Sequence, residues 1–156
     1  LKPISPLMIA LVAVASAVVG FSYSTWAVNN GLEVPISGAT LALSTALIAV
    51  ILIGLAVPIW KYKKNLIKAA TPNRLLPVNP FYAFRVLLIS KAAAITGALF
   101  IGWHAGVLLK QFTAPVVVAE ATTLNITALM AALLLLVVGF VVEQVCKLPN
   151  DKKKDD

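Results

Sequence analysis

The chain has 156 residues, of which 60% are apolar and only 12% charged, and its mean hydropathy is +0.95. Soluble domains are usually about half apolar, so a soluble enzyme or binding domain is excluded and one small membrane domain remains. The formal charge of +7 does not point to nucleic acid, because no stripe of aromatic and basic residues on a polar face accompanies the lysines.

The charges instead mark topology. All Lys and Arg residues except Lys110 fall in three places: Lys2 at the N-terminus, the central connection with the helix start after it (Lys61, Lys63, Lys64, Lys68, Arg74, Arg85, Lys91), and the tail (Lys147, Lys152, Lys153, Lys154). The other two connections carry only Glu33, and Lys110 with Glu120. Positive charge near membrane segments stays on the cytoplasmic side. The pattern therefore predicts an all-α integral membrane protein of four transmembrane helices in two helical hairpins, with both termini cytoplasmic. A spanning helix needs about 20 mostly apolar residues, so four of them use nearly the whole chain. A single domain over 1–149 is expected, with a charged, disordered tail at 150–156.

The first span is predicted over 7–28, closing on Tyr23 and Trp26, whose amphipathic rings suit the headgroup level. Lys2, the apolar run from Leu7 and the small residues Ala15-Ser16-Ala17 could form a signal peptide. The run continues to Val28, however, beyond the h-region of about 7–15 residues, and favours a retained anchor. Asn29-Asn30-Gly31 breaks it. Ser37 is a candidate cap for the second span, 39–60, where Pro58 should kink or loosen the last turn. The basic stretch from Lys61 to Lys68 can prolong this helix into the cytosol. Pro72 and Pro77 then enforce an extended segment, and Asn79-Pro80 reads as a cap with proline at the first helical position.

The third span, 80–109, would be about 45 Å long against roughly 30 Å of hydrocarbon. Its first turns, with Arg85, should lie among headgroups, with the buried part beginning near Lys91, whose long side chain can reach back to water. Lys110, Gln111 and Pro115 close it. The fourth span is predicted over 124–145.

Candidate functional residues are few. Ala94, Ala98, Gly102 and Gly106 repeat every four residues in the third span, Ser16, Gly20 and Ser24 in the first, and Ala42, Ala46 and, after Val50, Gly54 in the second. Such rows let helix backbones approach closely; packing within the bundle is the favoured reading, a face for another protein the alternative. His104 is the only histidine and a weak candidate for cofactor contact, because an intramembrane ionisable residue is a functional candidate by default. One histidine cannot supply both ligands of a bis-histidine haem, and no Asp, Glu or Cys stands at its depth to complete a metal site. No cofactor is expected, and a neutral His104 hydrogen-bonded to a neighbouring helix is the favoured reading. Glu143 is expected at the level of Arg85 and Lys91, where pairing would lower the cost of desolvating both partners. The basic residues Lys61, Lys63, Lys64, Lys68, Arg74, Arg85 and Lys91, with Glu143, are the candidates for contact with lipid or a partner, and anionic headgroups should contribute on the order of 1 kcal/mol per basic residue. The single Cys146 excludes an internal disulfide and a multi-thiolate metal site. Asn125-Ile126-Thr127 fits a glycosylation acceptor but falls at the membrane boundary and is discounted. No phosphate-cradling glycine loop, catalytic carboxylate pair or Ser-His-Asp set is present, so no catalytic residue is assigned.

The run Pro77-Val78-Asn79-Pro80, then Ala83, Arg85, Ser90-Lys91-Ala92, Gly97-Ala98, Gly102, Ala105-Gly106 and the ending Glu143-Gln144-Val145-Cys146-Lys147-Leu148-Pro149 resembles a family of small actinobacterial membrane proteins known only as a domain of unknown function, family 3180. The resemblance covers nearly the whole chain and implies four helices, an actinobacterial plasma membrane and genes often found beside those of folate synthesis. It carries no catalytic residues across.

Three functions follow as expectations. The leading one is a non-enzymatic accessory or assembly subunit of a larger membrane complex, with respiratory complexes among the candidates and other membrane subunits as partners. The alternative is an oligomeric transporter or channel, for which the mid-depth polar residues are Ser16, Ser44, Thr45, Thr96 and His104. A membrane enzyme using His104, or Arg85 with Glu143, ranks last.

Overall fold

The computed structural model describes residues 4–68, 79–114 and 118–146. The extended segment expected around Pro72 and Pro77, Arg74, and the tail from 147 onward lie outside the described residues. Four helices make up the fold: α1 (Pro6–Asn29), α2 (Ala39–Lys68), α3 (Pro80–Phe112) and α4 (Ala119–Cys146). All four are long and apolar enough to cross a membrane.

Local chemistry sets the helix ends. The Ser5 hydroxyl accepts from the Met8 N–H with Pro6 at the first turn of α1, and the Asn79 side chain accepts from the Phe81 N–H with Pro80 in the same role for α3. Each satisfies a donor that has no partner inside its helix. Beyond Asn30, Gly31 turns the chain with φ of 71°, a conformation that glycine adopts without steric cost. The helix α2 does not stop at Trp60; it continues past Pro58 and through the basic stretch to Lys68. The helix α4 starts earlier than 124, with Glu120 in its first turn, where an acidic side chain complements the helix dipole.

The helices form an open layer rather than a closed square. Helices α3 and α4 pair along their length, α1 lies along α3, and α2 lies along α4 with a lesser contact to α3. Helices α1 and α2 do not pack along one another. Of the two hairpins expected, α3–α4 is one; α1 and α2 stand on opposite flanks instead. Residues 30–38 therefore cross the ends of the central pair. Extended, such a stretch reaches up to about 30 Å, enough to span two helices packed roughly 8–10 Å apart. The connection acts as a strap.

Two sets of contacts fix the layer. A Cβ added to Gly102 or Gly106 would collide with the carbonyl oxygens of Ala13 and Ala17 in α1, and one on Gly20 would lie 2.6 Å from the carbonyl oxygen of Trp103. On its other side, α3 meets α4 through Gly97 and Gly139, where an added Cβ would sit 2.8 Å from the amide nitrogens of Leu136 and Ala94 respectively. The second set is an apolar cluster that seats α2: Ala49, Leu52, Ala56 and Ile59 pack with Val86 and Ala93 of α3 and Leu135, Val138 and Val142 of α4.

Candidate functional site

Apart from hydroxyls along the helices, the described polar side chains that join separate segments gather at the two ends of the layer. One end carries the strap and the α3–α4 connection; the other carries the C-termini of α2 and α4 and the N-termini of α1 and α3, and holds most of the described lysines.

At the strap end, His104 of α3 and Asn125 of α4 are each 1% exposed, buried beneath the strap. The Asn125 carboxamide oxygen accepts from the Ser37 N–H at 3.2 Å, and its nitrogen donates to the Pro35 carbonyl at 3.4 Å. The Ser37 hydroxyl lies 3.2 Å from His104 Nδ1. Ser37 thus meets α3 and α4 rather than capping α2. Asn125 satisfies the backbone of an extended segment that has no strand partner, as buried peptide groups require. Because both of its polar atoms are engaged and it is buried within α4, the Asn125-Ile126-Thr127 sequence is closed to glycosylation in this fold.

Two polar atoms remain over. Among the described residues, His104 Nε2 and Gln111 Oε1 are buried without a hydrogen-bond partner. The His104 ring has Phe100 beside it, with centroids 6.3 Å apart. Gln111 stands two turns further along α3 and contributes to the wall of a cavity of about 390 Å³ with Glu33, Val34, Ile36, Ala114, Val118 and Ala121.

At the basic end, Glu143 of α4 is 1% exposed, and one carboxylate oxygen accepts from the Ile4 N–H at 3.2 Å. A buried carboxylate needs such donors to offset lost hydration. The bond fastens the segment before α1 to the end of α4. Arg85 is exposed and Lys91 half-buried. Lys61 is exposed. Lys63 Nζ donates to the Gln144 carbonyl at 3.4 Å, and Lys64 Nζ lies 5.1 Å from the Trp60 ring centroid. Lys68 ends α2. Cys146, half-buried, ends α4.

The mid-depth hydroxyls are turned onto helix carbonyls. Ser16 donates to Leu99 at 2.7 Å, Ser24 to Gly20, and Ser44 and Thr45 both to Leu41, while Thr96 is exposed on the outer surface of α3. Among the described residues no three His, Cys, Asp or Glu side chains come together. The sequence marks Asn125 only as a discounted glycosylation acceptor and Gln111 only as part of the end of the third span, not as buried polar groups. The signal that could have found both is an amide side chain on the inward face of an otherwise apolar helix, where its burial has to be matched by a partner.

Four helices long and apolar enough to cross a membrane define a small multi-pass membrane protein. The model of the family described as "Protein of unknown function (DUF3180)" matches residues 9–150, and the chain belongs to that family. No curated protein and no solved structure matches the chain.

Proposed function

We propose that this chain is a non-enzymatic accessory or assembly subunit of a larger complex in a bacterial plasma membrane, a respiratory complex being the first candidate, with its basic end and both termini in the cytoplasm. One observation carries the reading. Gly54 of α2 stands in register with Ala42 and Ala46, though Val50 interrupts the row, and nothing lies within 4 Å of the place a Cβ would occupy. Helix α2 is held on one side only, and its outward face offers a notch into which a helix of another subunit can pack closely. The polar contacts support the same reading, since Asn125, Ser37 and Glu143 each make a bond that holds one of the chain's own segments in place. The lysines at the other end supply the charge asymmetry that orients such a protein.

Extraction from native membranes in a mild detergent, followed by mass spectrometry of the intact assembly, tests the proposal. A membrane protein at fixed stoichiometry, lost when Gly54 is replaced by Leu, is the expected result. Recovery of the chain alone, with or without the substitution, would overturn it.

A further inference from the structure

The cavity of about 390 Å³ at the strap end is bounded by three segments: the strap, the last turn of α3 and the start of α4. Its described wall has two parts. Val34, Ile36, Val118 and two alanines make most of it apolar, while Glu33 and Gln111 are polar. Gln111 is only 6% exposed, and its Oε1 has no hydrogen-bond partner. A buried carbonyl oxygen bears the cost of its lost hydration until a donor reaches it. The last torsion of a glutamine has broad preferences, so the carboxamide can turn this oxygen into the cavity that it borders.

Glu33 adds a carboxylate, which when ionised only accepts, and among the described residues of the wall it is the charged one. Lys110 precedes Gln111 and so points about 100° away around α3, outside the wall. Residues 115–117, beyond the described set, are Pro-Val-Val and bring no charged side chain to this end. The cavity therefore offers a negative charge, an acceptor that lacks a donor, and an apolar lining. An anion would be repelled, and a neutral apolar molecule would leave Gln111 Oε1 unmet. A calcium ion needs six or more oxygen ligands, which a mostly apolar wall does not supply. A quaternary ammonium has the charge but no N–H to donate.

We propose that this cavity binds a primary ammonium group carried on an apolar stem, one N–H donated to Gln111 Oε1, the charge set against Glu33, and the stem along Val34, Ile36 and Val118. The cavity lies where α3 ends and α4 begins, at the membrane–water boundary, so the ammonium can come from a free alkylamine or from the headgroup of an aminophospholipid. Either source joins Glu33 of the strap to Gln111 of α3, adding to the hold that Asn125 and His104 have on the strap. The site is separate from the notch at Gly54 and does not depend on the subunit role.

The test uses the full chain, delipidated in a neutral detergent. Calorimetric titration with hexylammonium, hexyltrimethylammonium and 1-hexanol compares three heads on one stem. Native mass spectrometry with phosphatidylethanolamine and phosphatidylcholine of the same acyl chains makes the same comparison for lipids. In at least one of the two pairs the primary ammonium should be held about tenfold more tightly than the quaternary one, the size of one hydrogen bond to a charged donor; the pair that discriminates identifies the source. Gln111→Leu should bring the members of that pair level. Glu33→Gln, a change of an exposed side chain that stays readable even if Gln111→Leu does not fold, should weaken the primary ammonium several-fold. Glu120→Gln, which removes an acid of the first turn of α4 outside the wall, should change nothing. Equal binding within both pairs, as expected if Gln111 Oε1 only holds a water, would overturn the proposal. So would a preference that survives Gln111→Leu, or an effect of Glu120→Gln as large as that of Glu33→Gln.

Discussion

Helices α2 and α3 carry similar rows of small residues and use them in opposite ways. In α3 the row meets the backbone of α1 at Gly102 and Gly106, while Gly97 on another face meets α4. Helix α3 is therefore clamped from two sides at backbone distance. In α2 the row ends at Gly54 in open space, and the helix is seated by larger side chains, Leu52 and Ile59, against α4 and the start of α3. Spacing of small residues establishes that a helix can be approached closely. Whether it is approached depends on which neighbour the connections bring alongside, and here the strap carries α2 to the far flank.

That contrast can be broken most severely at Gly102. Gly102→Val drives a side chain into the Ala13 carbonyl; both colliding groups are backbone, so the cost should reach about 3 kcal/mol or more, read as a large drop in the unfolding temperature in detergent and loss of the α1–α3 contact. Asn125→Leu comes next. It leaves the Ser37 N–H and Pro35 carbonyl of the strap without partners, for about 1–3 kcal/mol, and hydrogen exchange over residues 32–38 should accelerate as α2 loses its tether at that end.

His104→Leu should cost less than Asn125→Leu, because it removes a ring nitrogen that has no partner along with the one that meets Ser37; thermal unfolding of the two variants side by side checks the order. Tyr82→Phe removes the bond from the Tyr82 hydroxyl to the Leu55 carbonyl, 2.8 Å long, which ties α3 to α2. A loss of about 1 kcal/mol is expected. At the small end, Gly54→Ala meets nothing and raises helix propensity, so the isolated chain should be unchanged or more stable by up to about 1 kcal/mol. A destabilising Gly54→Ala would erase the distinction between the two helices.

Much of this fold is legible in the residues themselves. The lengths of the apolar runs mark four spans, and Asn79-Pro80 marks the start of α3, because capping is local chemistry. The ends of α2 and α4 are less legible. Lys61, Lys63 and Lys64 end the hydrophobic run but not the helix, since lysine is a good helix former in water. At the other boundary, Thr122 and Thr123 satisfy their hydroxyls on the carbonyls of Val118 and Ala119 and so extend α4 toward Ala119. What the residues do not reveal is the lateral order of the helices. A short polar connection reads as a hairpin turn, and nothing in residues 30–38 taken alone says that they cross two helices. The information lies in the partners, Asn125 and His104, far away in the chain. For the same reason no charge pattern announces the bond by which Glu143 accepts from the main chain of Ile4.

The order α1–α3–α4–α2 across the layer underlies both the strap and the one-sided seating of α2. Paired-cysteine oxidation in native membranes, in a background where Cys146 is replaced by Ser, tests it directly. Ser16→Cys with Leu99→Cys, and Lys63→Cys with Gln144→Cys, should form intramolecular disulfides rapidly, while Val18→Cys with Leu47→Cys, at similar depth on α1 and α2, should not. Rapid closure of the α1–α2 pair together with failure of the other two would contradict the arrangement.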